Sequence, residues 1–144
     1  MGFKIGRRMR RAATVAGAGL GATVLLTTQA AAWGGDWNGP GGGGGGTISF
    51  SSKTTATWDF TVVDTKSDGY CTRVKIIVDR PHWTDIPVYQ PPVCGYQQGA
   101  QWKKTYSTQG GTDMRSLKIQ QCRLHSDYSD ETCQEVKRVY NPKY

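Results

Sequence analysis

Residues 54–79 read TTATWDFTVVDTKSDGYCTRVKIIVD. In the first half Trp58, Phe60 and Val62 alternate with Thr57, Asp59 and Thr61, and in the second Val74, Ile76 and Val78 alternate with Arg73 and Lys75. A period of two sends one set of side chains to a buried face and the other to solvent, which is the pattern of a half-buried strand. Lys66-Ser67-Asp68-Gly69 lies between the halves and is a hairpin signal, because Asp-Gly supplies the positive φ angles that tight β-turns need. The expectation is two antiparallel strands, 54–64 and 70–79, paired through that turn.

The rest of the folded region has the same character. TISFSS (47–52) reads as a short first strand, QWKKTYSTQ (101–109) and MRSLKIQQCR (114–123) flank a Gly110-Gly111 turn, and TCQEVKRVY (132–140) closes the series. Residues 80–99 hold four of the six prolines, so a central strand is not expected across them. Six strands with short turns and no helical period point to an all-β, antiparallel sandwich, with an open barrel as the alternative. One domain over residues 47–144 is small and buries only a modest core.

The first 46 residues read differently. Lys4, Arg7, Arg8, Arg10 and Arg11 precede about twenty residues of Ala, Gly, Val, Leu and Thr that end in Ala30-Ala31-Ala32. This is the layout of a secretory signal peptide over residues 1–32, with cleavage after Ala32, or after Ala30 as the second choice. A retained transmembrane anchor is the alternative, disfavoured by the Gly and Thr content. Arg7-Arg8 invites a twin-arginine route, although Gly6 replaces the usual hydroxyl residue. No cysteine precedes Cys71, which excludes a lipid anchor at the cleavage site. Six consecutive glycines, Gly41 to Gly46, lose maximal backbone entropy on ordering, so residues 33–46 read as a flexible linker with Trp33 and Trp37 as mobile passengers.

Charge follows the same division. The chain carries 18 Lys and Arg against 11 Asp and Glu, a net +7, but five of the bases and none of the acids lie in residues 1–32. Removing them leaves 13 against 11, close to balance, so a nucleic-acid partner loses its electrostatic support.

Four cysteines remain: Cys71, Cys94, Cys122 and Cys133. An exported chain meets oxidising conditions, and an even count in a small domain reads as a disulfide framework. Three connectivities are possible. The nearest-neighbour pairing, Cys71–Cys94 with Cys122–Cys133, closes the simplest loops. Zinc is disfavoured because structural sites use close Cys pairs, which are missing here. Cys71 and Cys122 have the opposite strand parity to Val74, Ile76, Leu117 and Ile119, so either bulges shift the phase or the bridges lie off the core face. Between Cys122 and Cys133, Asp127, Asp130 and Glu131 offer oxygen ligands for calcium, but the spacing lacks a calcium-loop pattern and a solvated hairpin tip is expected. His125 is expected at the surface.

The apolar strand running into Cys122-Arg123, the Asp-rich loop after it and the second Cys133 resemble the C-terminal hairpin of small secreted proteins of Gram-positive actinobacteria. The alanine-rich leader is similar to theirs as well. The resemblance implies a Cys122–Cys133 bridge and an extracellular location, and it supplies no reaction.

For chemistry the chain offers two histidines, His82 and His125, and no G-x-S-x-G, H-E-x-x-H or phosphate-cradling motif. The expectation is a secreted, monomeric, non-enzymatic binding protein without metal or cofactor, acting on an extracellular protein or a cell-wall polysaccharide. The Pro-rich segment 80–93 places Arg80, Trp83 and Tyr89 on a stiffened loop suited to a protein partner, and an extracellular proteinase inhibitor would use the same loop. A carbohydrate or cell-wall binding module would use Trp102 and Tyr106, with Tyr96, as a flat platform.

Overall fold

A computed structural model describes residues 32–144. The expected leader lies outside the described residues except for Ala32, whose N–H donates to the Ile48 carbonyl at 2.7 Å. The strands are β1 (Trp33–Gly39), β2 (Gly42–Phe50), β3 (Thr55–Asp64), β4 (Cys71–Asp79), β5 (Ile86–Tyr89), β6 (Val93–Cys94), β7 (Gly99–Ser107), β8 (Ser116–Leu124) and β9 (Thr132–Tyr140). One sheet has the order β1-β2-β3-β7 and the other β5-β4-β8-β9, with β6 also pairing β4. Every pairing is antiparallel, and the two sheets form an open sandwich rather than a closed barrel.

The alternating positions face each other across the sandwich. Ile48, Phe50, Trp58, Phe60 and Val62 from the first sheet meet Val74, Ile76, Val78, Leu117 and Ile119 from the second, all buried. Burying each such side chain contributes roughly 1.5–3 kcal/mol.

The strands 54–64 and 70–79 form as expected, but they do not pair with each other. β3 is bonded on both sides by β2 and β7, and β4 by β5 and β8. The Asp68-Gly69 turn instead carries the chain from one sheet to the other. Gly69 takes the positive φ (75°) that the dipeptide announced, and the Asp68 carboxylate accepts from the Tyr70 N–H and from Arg123 Nε on β8. At the start of the crossing, the buried Asp64 carboxylate accepts from the N–H groups of Lys66 and Gly95. Turn chemistry set the local bend, and partner choice was decided by tertiary packing.

The second correction concerns residues 33–46, expected as linker. They form β1 and most of β2, in continuous register from Trp33 opposite Ile48 to Gly39 opposite Gly42. The glycines are used for their missing side chains. The Trp37 indole lies flat over the β2 backbone, where a Cβ on Gly44 would stand 2.6 Å from Trp37 Cζ2 and 2.7 Å from the Thr61 carbonyl oxygen. At Gly46, φ is 152° and a Cβ would stand 2.0 Å from the Asp59 carbonyl oxygen. Trp37 is therefore buried, edge-on to Phe60 at 5.1 Å between centroids. Its Nε1–H donates to Gln121 Oε1 at 2.7 Å, Gln121 Nε2 donates to Thr72 Oγ1, and Thr72 Oγ1 donates to the Cys122 carbonyl at 3.0 Å. A buried polar chain thus joins the two sheets with its donors used. Trp33 is half-buried and packs beside Trp37 at 6.1 Å.

Replacing Gly44 by Val should lower unfolding stability by about 1–3 kcal/mol through overpacking. Gly34→Ala, where the new Cβ meets Thr47 at an ordinary 3.5 Å, should stay within about 0.5 kcal/mol of wild type. Chemical denaturation of the two variants checks both outcomes.

Candidate functional site

Both disulfides form in the nearest-neighbour pairing, and both join directly opposed cross-strand residues: Cys71 with Cys94, and Cys122 with Cys133. Their parity is resolved without a bulge at the cysteines. β4 and β8 turn Cys71 and Cys122 to the outer face of their sheet, opposite to Val74 and Ile119, so the bridges lie off the sandwich interior.

Arg73 sits on that outer face, yet it is only 7% exposed. Its guanidinium stacks under the Tyr89 ring from β5 at 4.6 Å and lies 5.4 Å from the Tyr128 ring in the β8–β9 loop. Nε and Nη2 donate to the two oxygens of Glu131 at 3.1 and 2.9 Å, a bidentate pair that ties this loop down onto β4. Lys75 Nζ approaches Tyr89 from the next outward position, at 5.7 Å. The result is a rigid patch in which Tyr89 is 48% and Tyr128 57% exposed around an engaged cation. The sequence singled out Glu131 only as a possible calcium ligand and gave Arg73 and Tyr128 no role, because the loop is brought onto β4 from 58 residues away.

The same contacts account for the carboxylates considered for calcium. Glu131 is held by Arg73. Asp127 accepts from the Ser129 hydroxyl and N–H, which hold its carboxyl below the usual range. Asp130 lies 3.3 Å from His125 Nε2, and His125 stacks on Tyr70 at 4.2 Å. The three carboxylates thus serve three different partners. Among the described residues, metal-ligand types converge only at Cys122, Glu131 and Cys133. Both sulfurs there are bridged and offer no thiolate, and the 3.3 Å approach of Cys133 Sγ to Glu131 is a contact only.

The β4–β5 connection places the remaining Pro-rich residues. Arg80 Nε and Nη2 both donate to the Thr84 carbonyl, and the Trp83 N–H returns to the Arg80 carbonyl, with His82 at φ 65°. This is a tight turn that carries Trp83, 63% exposed, at its tip. Arg80 is thus folded back on Thr84 and not extended. Residues 86–89 are tied to β4 as β5, and Gln90 extends the pairing: its side-chain oxygen accepts from the Val74 N–H while its own N–H donates to the Val74 carbonyl. Two ion pairs brace this end of the sheet, Lys118 with Asp85 at 2.8 Å and Arg115 with Asp79 at 2.9 Å.

Trp102 and Tyr106 do share a face of β7, but it is the inward one. Trp102 lies edge-on to Trp58 at 5.4 Å and Tyr106 stacks with it at 6.4 Å, so both extend the core instead of forming an outward platform. Tyr96 is exposed and lies outside that group. Comparison of the chain with protein-family models, with curated proteins and with solved structures finds no match.

Burial works against the charged Asp79 carboxyl, but hydrogen bonds from Arg115 and the Ser116 hydroxyl outweigh it and hold its pKa below the usual value. A depressed folded-state pKa stabilises the fold above the unfolded value, near 4, and that contribution fades as pH falls through the folded value. Asp79→Asn should reduce stability at neutral pH and flatten its decline below about pH 4. Denaturant midpoints measured from pH 7 to pH 2 check this.

Proposed function

We infer that the chain is a secreted, non-enzymatic binding protein that contacts an extracellular protein through the outer face of the β5-β4-β8-β9 sheet. The observation that carries this reading is the Tyr89–Arg73–Tyr128 patch. Tyr89 stands half exposed on β5, which is paired to β4, and Tyr128 on the loop pinned by the Cys122–Cys133 bridge and the Arg73–Glu131 pair. Tyr and Trp on rigid supports bury large area at small entropic cost, and with Arg they dominate the energetics of protein interfaces. Trp83, on its braced turn at the end of the same sheet, supplies a second anchor.

Export is supported by the basic and apolar leader pattern and by two disulfides, which persist in oxidising compartments. The likeness of the leader and of the Cys122–Cys133 hairpin to small secreted actinobacterial proteins points the same way. Among the described residues no helix is long and apolar enough to cross a membrane.

The immobilised protein is tested against extracellular proteins and, separately, against purified cell-wall polysaccharide. It should retain a saturable protein ligand, with affinity reduced at least about tenfold by Tyr89→Ala or Trp83→Ala and unchanged by Thr105→Ala on the outer face of the other sheet. Wild-type affinity in both aromatic variants, or retention by polysaccharide alone, would contradict the reading.

A further inference from the structure

The strands that border the two sheets are β1 and β7 in one, and β9 with β5 and the two-residue β6 in the other. A bordering strand exposes unpaired backbone groups, and proteins block such edges with charged side chains, above all lysine, with prolines, bulges or short strands. All but β1 combine several of these devices or, like β6, are very short. β7 presents exposed Lys103 and Lys104 at its middle. β9 carries Glu135, Lys137 and Arg138, and its register with β8 shifts between Ile119 and Gln120. β5 is four residues long, contains Pro87 and is followed by Pro91 and Pro92.

β1 is the least protected, with no lysine, proline or bulge. WGGDWNG contains no lysine or proline, keeps register with β2 over its whole length and carries Asp36 as its one charge. Its inward row is Trp33, Gly35 and Trp37, and Trp33 remains partly exposed with its ring against Gly35. With residues 33–46 read as linker, no such edge existed, and a monomer was the natural expectation.

We propose that β1 pairs with β1 of a second copy, so that two four-stranded sheets join into one of eight strands. The occupant follows from the edges themselves. A strand added to β1 must itself be open to pairing, and among the described residues β1 is the least blocked edge. A two-fold antiparallel pairing centred on Gly35 sets Trp33 opposite the partner's Trp37, twice, on the inward row. On the outward row it sets Gly34 opposite the partner's Asp36, so the two carboxylates meet glycine and not each other. Cross-strand aromatic pairs and the absence of like-charge opposition are what stabilise such a ladder. The interface is isologous and closes at two copies. It leaves the outer face of the β5-β4-β8-β9 sheet free and is independent of the function proposed for that face.

Sedimentation velocity on the full chain tests the pairing with two edge variants and a control. Gly34→Lys adds a blocking lysine where the structure has room, the new Cβ meeting Thr47 at 3.5 Å. Asn38→Lys does so at a second exposed position of β1. Thr61→Lys puts the same charge on β3, which is interior to the sheet. The wild type and Thr61→Lys should sediment at twice the chain mass, and both edge variants at the single-chain mass while keeping the β-sheet circular dichroism of the wild type. A wild type that sediments as a single chain overturns the proposal. So do edge variants that stay paired, which would assign the association to another surface, residues 1–31 included.

Discussion

The Trp37 indole resting on the bare backbone of Gly44, with its N–H turned into Gln121, is the constraint on which the first sheet depends. A side chain at Gly44 would lift the ring, and without the ring β1 would have little to hold it against β2. Glycine is a poor strand residue on its own account, since ordering it costs more backbone entropy than any other residue. The run is compensated here by burying the large Trp37 indole against Phe60 and by a hydrogen-bonded chain through Gln121 and Thr72 to the opposite sheet. The same contact turns an N-terminal stretch into a bordering strand whose backbone is open on one side.

The second sheet is organised from its outer surface. Its inward positions are apolar, while the outward face of β4 and β8 carries both disulfides and the Arg73 network. An arginine at that position would ordinarily be solvated. Here two tyrosine rings and a bidentate carboxylate cover it, and in return it ties the disulfide-closed loop onto β4. The loop acids engage Arg73, Ser129 and His125, and beside them Tyr89 and Tyr128 stay exposed.

Much of this was legible in the sequence. Alternation identified Trp58, Phe60, Val62, Val74, Ile76 and Val78 as core, and the odd parity of Cys71 and Cys122 left bulges or bridges off the core face, of which the second is formed. The failures share a cause. Glycine propensity argued for linker because the ring that fills the trough lies on another strand, a pairing that local composition does not encode. Asp68-Gly69 announced its turn correctly, but a turn specifies a bend and not which neighbour the next strand takes. Trp102 and Tyr106 shared parity with a platform and with a core alike, and only the position of Trp58 decides between them. Arg73, Tyr128 and Glu131 meet across long sequence separation, which periodicity cannot reveal.

Native-state hydrogen exchange of the amides of residues 33–50, compared with those of 71–79, tests the central claim most directly. If the glycine run is an integral strand held by Trp37, the ladder-bonded amides of β2 should exchange about as slowly as those of β4, through the same cooperative unfolding. Exchange of residues 41–46 at the rate of an unstructured chain, with β4 still protected, would contradict it and return the glycines to a linker.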